Sequence, residues 1–113
     1  MGRMSPKDFL LHLELAKQRG YTPILEYCRG ERSIRLSKDG RVFCPITAVS
    51  DMLFGPSDWW GPGFYRMHGK KLGLGRMQTH MLASAADDDT PPGWPTAATL
   101  RRNMLRSLGL KEF

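Results

Sequence analysis

The chain is predicted to fold as a helix-rich α+β domain, a small single domain with a short antiparallel β-hairpin or three-stranded sheet. Three observations carry this. Ser5-Pro6 opens a stretch with apolar residues at helical spacing, and Gly20 closes it. Ser33 to Ser37 alternates apolar and polar side chains and runs into Asp39-Gly40, a strong hairpin-turn dipeptide. After Pro45 the apolar period returns to that of a helix and stays there. A length of 113 residues suits one domain, residues 1–113, and 41% hydrophobic with 25% charged residues is ordinary globular composition.

The elements follow in order. Ser5 caps a helix over about residues 6–19, with Pro6 at its first position and Asp8 completing a capping box. Phe9, Leu10, Leu13 and Ala16 form its apolar face, and Lys17 and Arg19 suit the negative end of its dipole. Pro23 to Cys28 reads as a strand, Ser33 to Ser37 as a second with Ile34 and Leu36 inward, and Arg41 to Phe43 as a third. Pro45 begins a helix that presents Ala48, Val49, Met52 and Leu53 and ends at Gly55-Pro56. Phe64 to Leu72 and Arg76 to Ala86 are two further helices, the second with Met77, Met81, Leu82 and Ala85 inward. Residues 87–95 form an acidic, proline-containing linker. Thr96 then caps a last helix with Ala97, Leu100, Met104, Leu105 and Leu108 on one stripe.

Composition narrows the function classes. No apolar run approaches the ~20 residues of a membrane span, so no membrane partner is expected. The start shows no export signal, and Pro6 stands where a myristoylation motif needs Ser or Thr. Cys28 and Cys44 are therefore expected as reduced thiols of a cytoplasmic protein, or as a single bridge if two strands bring them together. Two cysteines and three scattered histidines lack the spacing of a metal site, and there is no phosphate loop or dinucleotide fingerprint. Neither a metal nor another cofactor is expected.

The formal charge is +6, and it is unevenly placed. Residues 1–58 nearly cancel, whereas residues 59–86 carry Arg66, Lys70, Lys71 and Arg76 with no acid. Such a stretch raises local attraction for polyanions. Trp59 and Trp60 stand at its start, in a proline- and glycine-rich loop, where tryptophan serves as a binding anchor or plugs the core edge. Arg101, Arg102 and Arg106 decorate the last helix, and Arg102 and Arg106, four apart, share an exposed face.

Gly69-Lys70-Lys71-Leu72-Gly73-Leu74-Gly75-Arg76 resembles the joint of a helix-turn-helix, and residues 64–86 cover the motif. A small residue belongs where the two helices cross, and glycine belongs in the turn, where φ is positive. Gly69 and Gly73 supply these, with Leu72, Leu74 and Leu82 at apolar positions. Thr79 departs from the pattern, which calls for a buried β-branched aliphatic, and Gly69 is a poor helix residue. The resemblance implies that Arg76, Gln78, Thr79 and His80 open a recognition helix, and that Arg66, Lys70 and Lys71 meet phosphates.

Cys44, just before Pro45 at a helix N-terminus, is the one candidate nucleophile, because that position lowers a thiol pKa. A cysteine hydrolase would need His68 or His80 beside it. Over the whole chain, GRVFCPITAV at residues 40–49, the LGLG joint, the AAD helix end and the closing LRRNMLRSLGL resemble small proteins of bacteriophage and prophage genomes. That resemblance implies an accessory role in a bacterial cytoplasm, such as modulating a host enzyme or defence complex. The leading expectation is a non-enzymatic protein that binds a host protein or nucleoprotein complex through Trp59, Trp60, Arg66, Lys70, Lys71, Arg76, Gln78, Arg102 and Arg106. A helix-turn-helix binding nucleic acid comes second, and a cysteine-dependent hydrolase third.

Overall fold

The order of elements follows directly from where the chain is capped and turned. The structure, a computed structural model, describes residues 4–28, 31–56, 64–87 and 95–111. Helix α1 (Pro6–Gln18) starts with a complete capping box: the Asp8 N–H donates to Ser5 Oγ at 3.1 Å, and the Ser5 N–H donates to Asp8 Oδ2 at 3.2 Å. These bonds to Ser5 hold the Asp8 carboxyl below its ordinary value. Phe9, Leu13 and Ala16 are buried along one face. Gly20, at φ 97°, turns the chain into the sheet.

Strands β1 (Thr22–Cys28), β2 (Glu31–Lys38) and β3 (Arg41–Phe43) form an antiparallel sheet in the order β1-β2-β3. Asp39 and Gly40 both take positive φ (54° and 77°), as a two-residue type I′ loop requires. That loop sets the register, pairing Lys38 with Arg41 and Leu36 with Phe43. Ile34, Leu36 and Phe43 enter the core.

Helix α2 (Pro45–Phe54) is the central element. Pro45 through Ser50 are all buried, and the helix packs against α1, both strands of the β2–β3 hairpin, and the next two helices. Its buried first six residues carry no charged side chain, and its acid, Asp51, comes in the second half. Helices α3 (Phe64–Leu72), α4 (Arg76–Ala86) and α5 (Pro95–Leu108) complete the chain. One core draws on α1, β2, β3, α2, α3, α4 and α5. Among the described residues, no helix is long and apolar enough to cross a membrane.

Four expectations are corrected here. Arg101 does not decorate the surface; it is 4% exposed. It stands four residues after Ala97 and three before Met104, both fully buried, so helical spacing puts it on the inner stripe. Its Nη1 donates to the carbonyls of Ala85 (2.7 Å) and Ala86 (3.1 Å), and its Nη2 donates to the carbonyl of Arg32. The last carbonyls of a helix lack intrahelical donors, and Arg101 supplies them for α4. Asp87 is no linker residue but the C-cap of α4, paired with Arg35 at 2.8 Å; residues 88–94 lie outside the described residues. Met77 is 62% exposed rather than inward, because it stands two positions before buried Thr79, a rotation of about 200°. Thr96 lies inside α5, whose first residue is Pro95, a position that needs no N–H.

The buried guanidinium makes a testable demand. Arg101→Met keeps the apolar stem but leaves the carbonyls without their donor. Bonds from a charged donor contribute about 1.5–3 kcal/mol each, so urea denaturation should show a loss of about 3 kcal/mol or more. Arg102→Met, on the exposed face, should change stability by no more than about 0.5 kcal/mol.

Candidate nucleic-acid interface

The α3–α4 unit is built from a crossing that leaves no room for a side chain. A Cβ added at Gly69 would lie 2.2 Å from Thr79 Oγ1 and 2.6 Å from its Cγ2. Glycine weakens a helix by about 1 kcal/mol relative to alanine, yet here only glycine lets α4 approach. Thr79 is 3% exposed, and its hydroxyl donates to the Gly75 carbonyl at 2.9 Å. With its oxygen satisfied locally, Thr79 presents a β-branched apolar surface, so it occupies the position from which its polarity had seemed to exclude it.

The turn completes the joint. Gly73 has φ 81°, and the N–H groups of Gly73 and Leu74 donate to the carbonyls of Lys70 (3.1 Å) and Gly69 (2.9 Å), closing α3. Leu72 and Leu74 are buried on either side of it. The Met4 N–H donates to the Gly73 carbonyl at 3.0 Å, so the segment before α1 braces the turn. Helices α2, α3 and α4 pack in all three pairs.

Burial divides α4 along its length. Its C-terminal half buries Leu82, Ser84, Ala85 and Ala86, whereas Arg76, Met77 and His80 in its first turns are exposed. Lys70 and Lys71 are exposed at the end of α3, with Lys71 Nζ 5.7 Å from the centroid of the half-exposed Phe54 ring. The carboxylate nearest this surface in sequence, Asp87, is neutralised by Arg35. Two expected readers are withdrawn from that role. Thr79 is buried, and Gln78 uses its amide oxygen to accept the Gly75 N–H at 3.1 Å, so it caps α4. Arg102 and Arg106 are exposed on α5, a separate helix, and Arg102 Nη2 donates to Thr99 Oγ1 at 3.3 Å. Trp59, Trp60 and the side chain of Arg66 lie outside the described residues.

The candidate nucleophile is not activated. Cys44 caps α2 and is a free thiol, its Sγ accepting the Thr47 N–H at 3.4 Å. Burial around the sulfur outweighs the helix N-terminus and pushes the thiol up from its ordinary value, the reverse of the expected depression. His68 is buried, with Nδ1 2.8 Å from Ser50 Oγ across the α2–α3 contact. Its position four residues before buried Leu72 was the available sign that it faces inward. Burial, and secondarily the charge of Lys71, lowers its pKa. Among the described residues, no group of three or more His, Cys, Asp or Glu side chains could hold a metal ion. No protein-family model matches this chain, and no curated protein or solved structure does either.

Two outcomes follow from these contacts. Gly69→Ala should destabilise the protein by about 1–3 kcal/mol despite alanine's helix preference, because the added methyl overpacks the crossing. Thr79→Ala in the same chain should recover part of that loss, and a double-mutant cycle by chemical denaturation reads the coupling. His68, held neutral when folded, should make stability pH-dependent: fully present above its unfolded pKa of about 6.5 and declining as pH falls through that value toward the lower folded one. His68→Gln should flatten the part of the profile between pH 7.5 and 5, measured by thermal melting.

Proposed function

We propose that this protein is a non-catalytic binding module that engages nucleic acid, as part of a nucleoprotein complex, through the exposed first turns of α4. The Gly69–Thr79 crossing carries the reading. It sets α4 against α3 at close range and leaves Arg76, Met77 and His80 exposed at the N-terminal end, the end from which recognition helices touch base edges. Arg76 suits guanine, and Lys70 and Lys71 suit flanking phosphates. The net charge of +6 favours encounter with a polyanion. The resemblance to phage and prophage proteins supports a bacterial cytoplasmic setting and an accessory role upon a host complex.

A second reading rests on the end of α2. Leu53 and Phe54 are 38% and 53% exposed beside Lys71, an apolar patch with a basic edge. It suits an acidic protein surface with an apolar centre.

Fluorescence anisotropy with labelled duplex, single-stranded DNA and RNA separates the two. Two phosphate contacts, by Lys70 and Lys71, give an expected log–log salt slope of about −1.8, at about 0.9 per contact, between about 50 and 200 mM salt. Lys70→Glu with Lys71→Glu should weaken binding more than about tenfold without lowering the melting temperature, since both side chains are exposed. Absence of binding to all three probes at low salt would reject the nucleic-acid reading. Phe54→Ala would then be the variant to test in protein capture.

A further inference from the structure

A second basic site lies on the other half of the molecule, and among the described residues none of α3 or α4 lines it. A cleft of about 440 Å³ opens between the C-terminal end of α1, the β2–β3 loop and α2. Arg19, Lys38 and Arg41 stand around it, and Tyr21 and Phe43 form its aromatic floor, their rings edge to face at 5.9 Å.

The sheet register explains why the cations gather here. Lys38 and Arg41 are directly opposed across the hairpin, on the same face as Leu36 and Phe43. That face is the core face, so where the core ends the last cross-strand pair is two like charges. Like charges placed directly opposite destabilise a sheet. No ion pair joins either of them to a carboxylate among the described residues. Instead Lys38 Nζ sits 4.6 Å from the Tyr21 ring centroid, and the Arg41 guanidinium 5.2 Å from that of Phe43. A ring face holds a cation in place without cancelling its charge.

Two carboxylates also line the cleft, Asp39 and Asp51. Asp51 is engaged, accepting the Tyr21 hydroxyl at 2.6 Å. Burial and that bond raise the Tyr21 pKa, so the phenol keeps its proton as a donor. Asp39 sits in the hairpin loop itself.

We propose that this cleft binds a small multivalent oxyanion, a polyphosphate or polycarboxylate group, between Lys38, Arg41 and Arg19. The ligand places negative charge between the opposed pair, in a lining where three cations face two carboxylates. Charge-assisted bonds from both cations fix it.

The test uses tripolyphosphate and citrate as probes, with sodium chloride at matched ionic strength as control. Tripolyphosphate should raise the melting temperature saturably and shift amide resonances at Tyr21 and residues 38–43. Citrate acting equally places polycarboxylates in the ligand class, and citrate without effect confines the class to polyphosphates. Lys38→Gln with Arg41→Gln should weaken binding at least about tenfold, as loss of charge-assisted bonds dictates. Without anion, that variant should melt no lower than the parent, because the like-charge pair is gone. Lys70→Glu with Lys71→Glu should respond as the parent does, which keeps this site distinct from the α3–α4 surface. An equal response to sodium chloride, resonance shifts confined to α3 and α4, or a full response in the Lys38/Arg41 variant would each overturn the proposal.

Discussion

The fold turns on one buried guanidinium. Arg101 belongs to α5, but its hydrogen bonds go to the end of α4 and to β2. A charge taken out of water must keep all of its partners, so the three elements are held in one arrangement rather than several. Arg35, on the same strand as Arg32, adds a second tie by pairing with Asp87 at the α4 C-cap. The C-terminal end of α4 is therefore fixed by charge, and its N-terminal end by the absence of a side chain at Gly69. Held at Thr79 and at its C-cap, helix α4 presents Arg76, Met77 and His80 at its N-terminal end.

That arrangement separates scaffold from surface within one helix. Ser84, Ala85 and Ala86 are small, so α5 and the sheet close over them, while Arg76, Met77 and His80 remain outside. A rigid support under an exposed helical turn is what a binding surface needs, because ordering it on contact then costs little entropy. The enclosed α2 performs the same service for α3, and the Ser50–His68 contact joins those two helices through a polar pair inside the core. In such a place the pair confers register as well as stability.

Much of the fold was legible because its boundaries are written in residues with one physical use. Ser5-Pro6, Gly20, Asp39-Gly40, Pro45, Gly55 and Gly73 mark caps and turns, and the structure places element ends at each of them. The apolar stripe of α5 was equally plain, since every member of it is buried. What escaped were polar residues on inward faces. Arg101 and Thr79 occupy core positions by spacing, but residue type argued for the surface, and only the carbonyls they meet explain the exception. Gln78 is another case: its identity suits base reading, while its place three residues after Gly75 suits capping, and capping wins. The cleft under the hairpin was hidden for a different reason. Arg19, Lys38 and Arg41 belong to a half of the chain whose charges nearly cancel, and only the hairpin register and the packing of α1 bring those three together.

Glycine at the end of α5 has a meaning beyond its turn. A Cβ on Gly109 would come within 2.9 Å of Lys17 Nζ, so the last turn of α1 delivers its ammonium to the closing turn of α5. Lys17 thus stands near the negative poles of two helices, beside the Arg106 that α5 carries in its own last turn. The first and last helices therefore meet at their C-terminal ends, where glycine at position 109 leaves the room that the Lys17 side chain occupies.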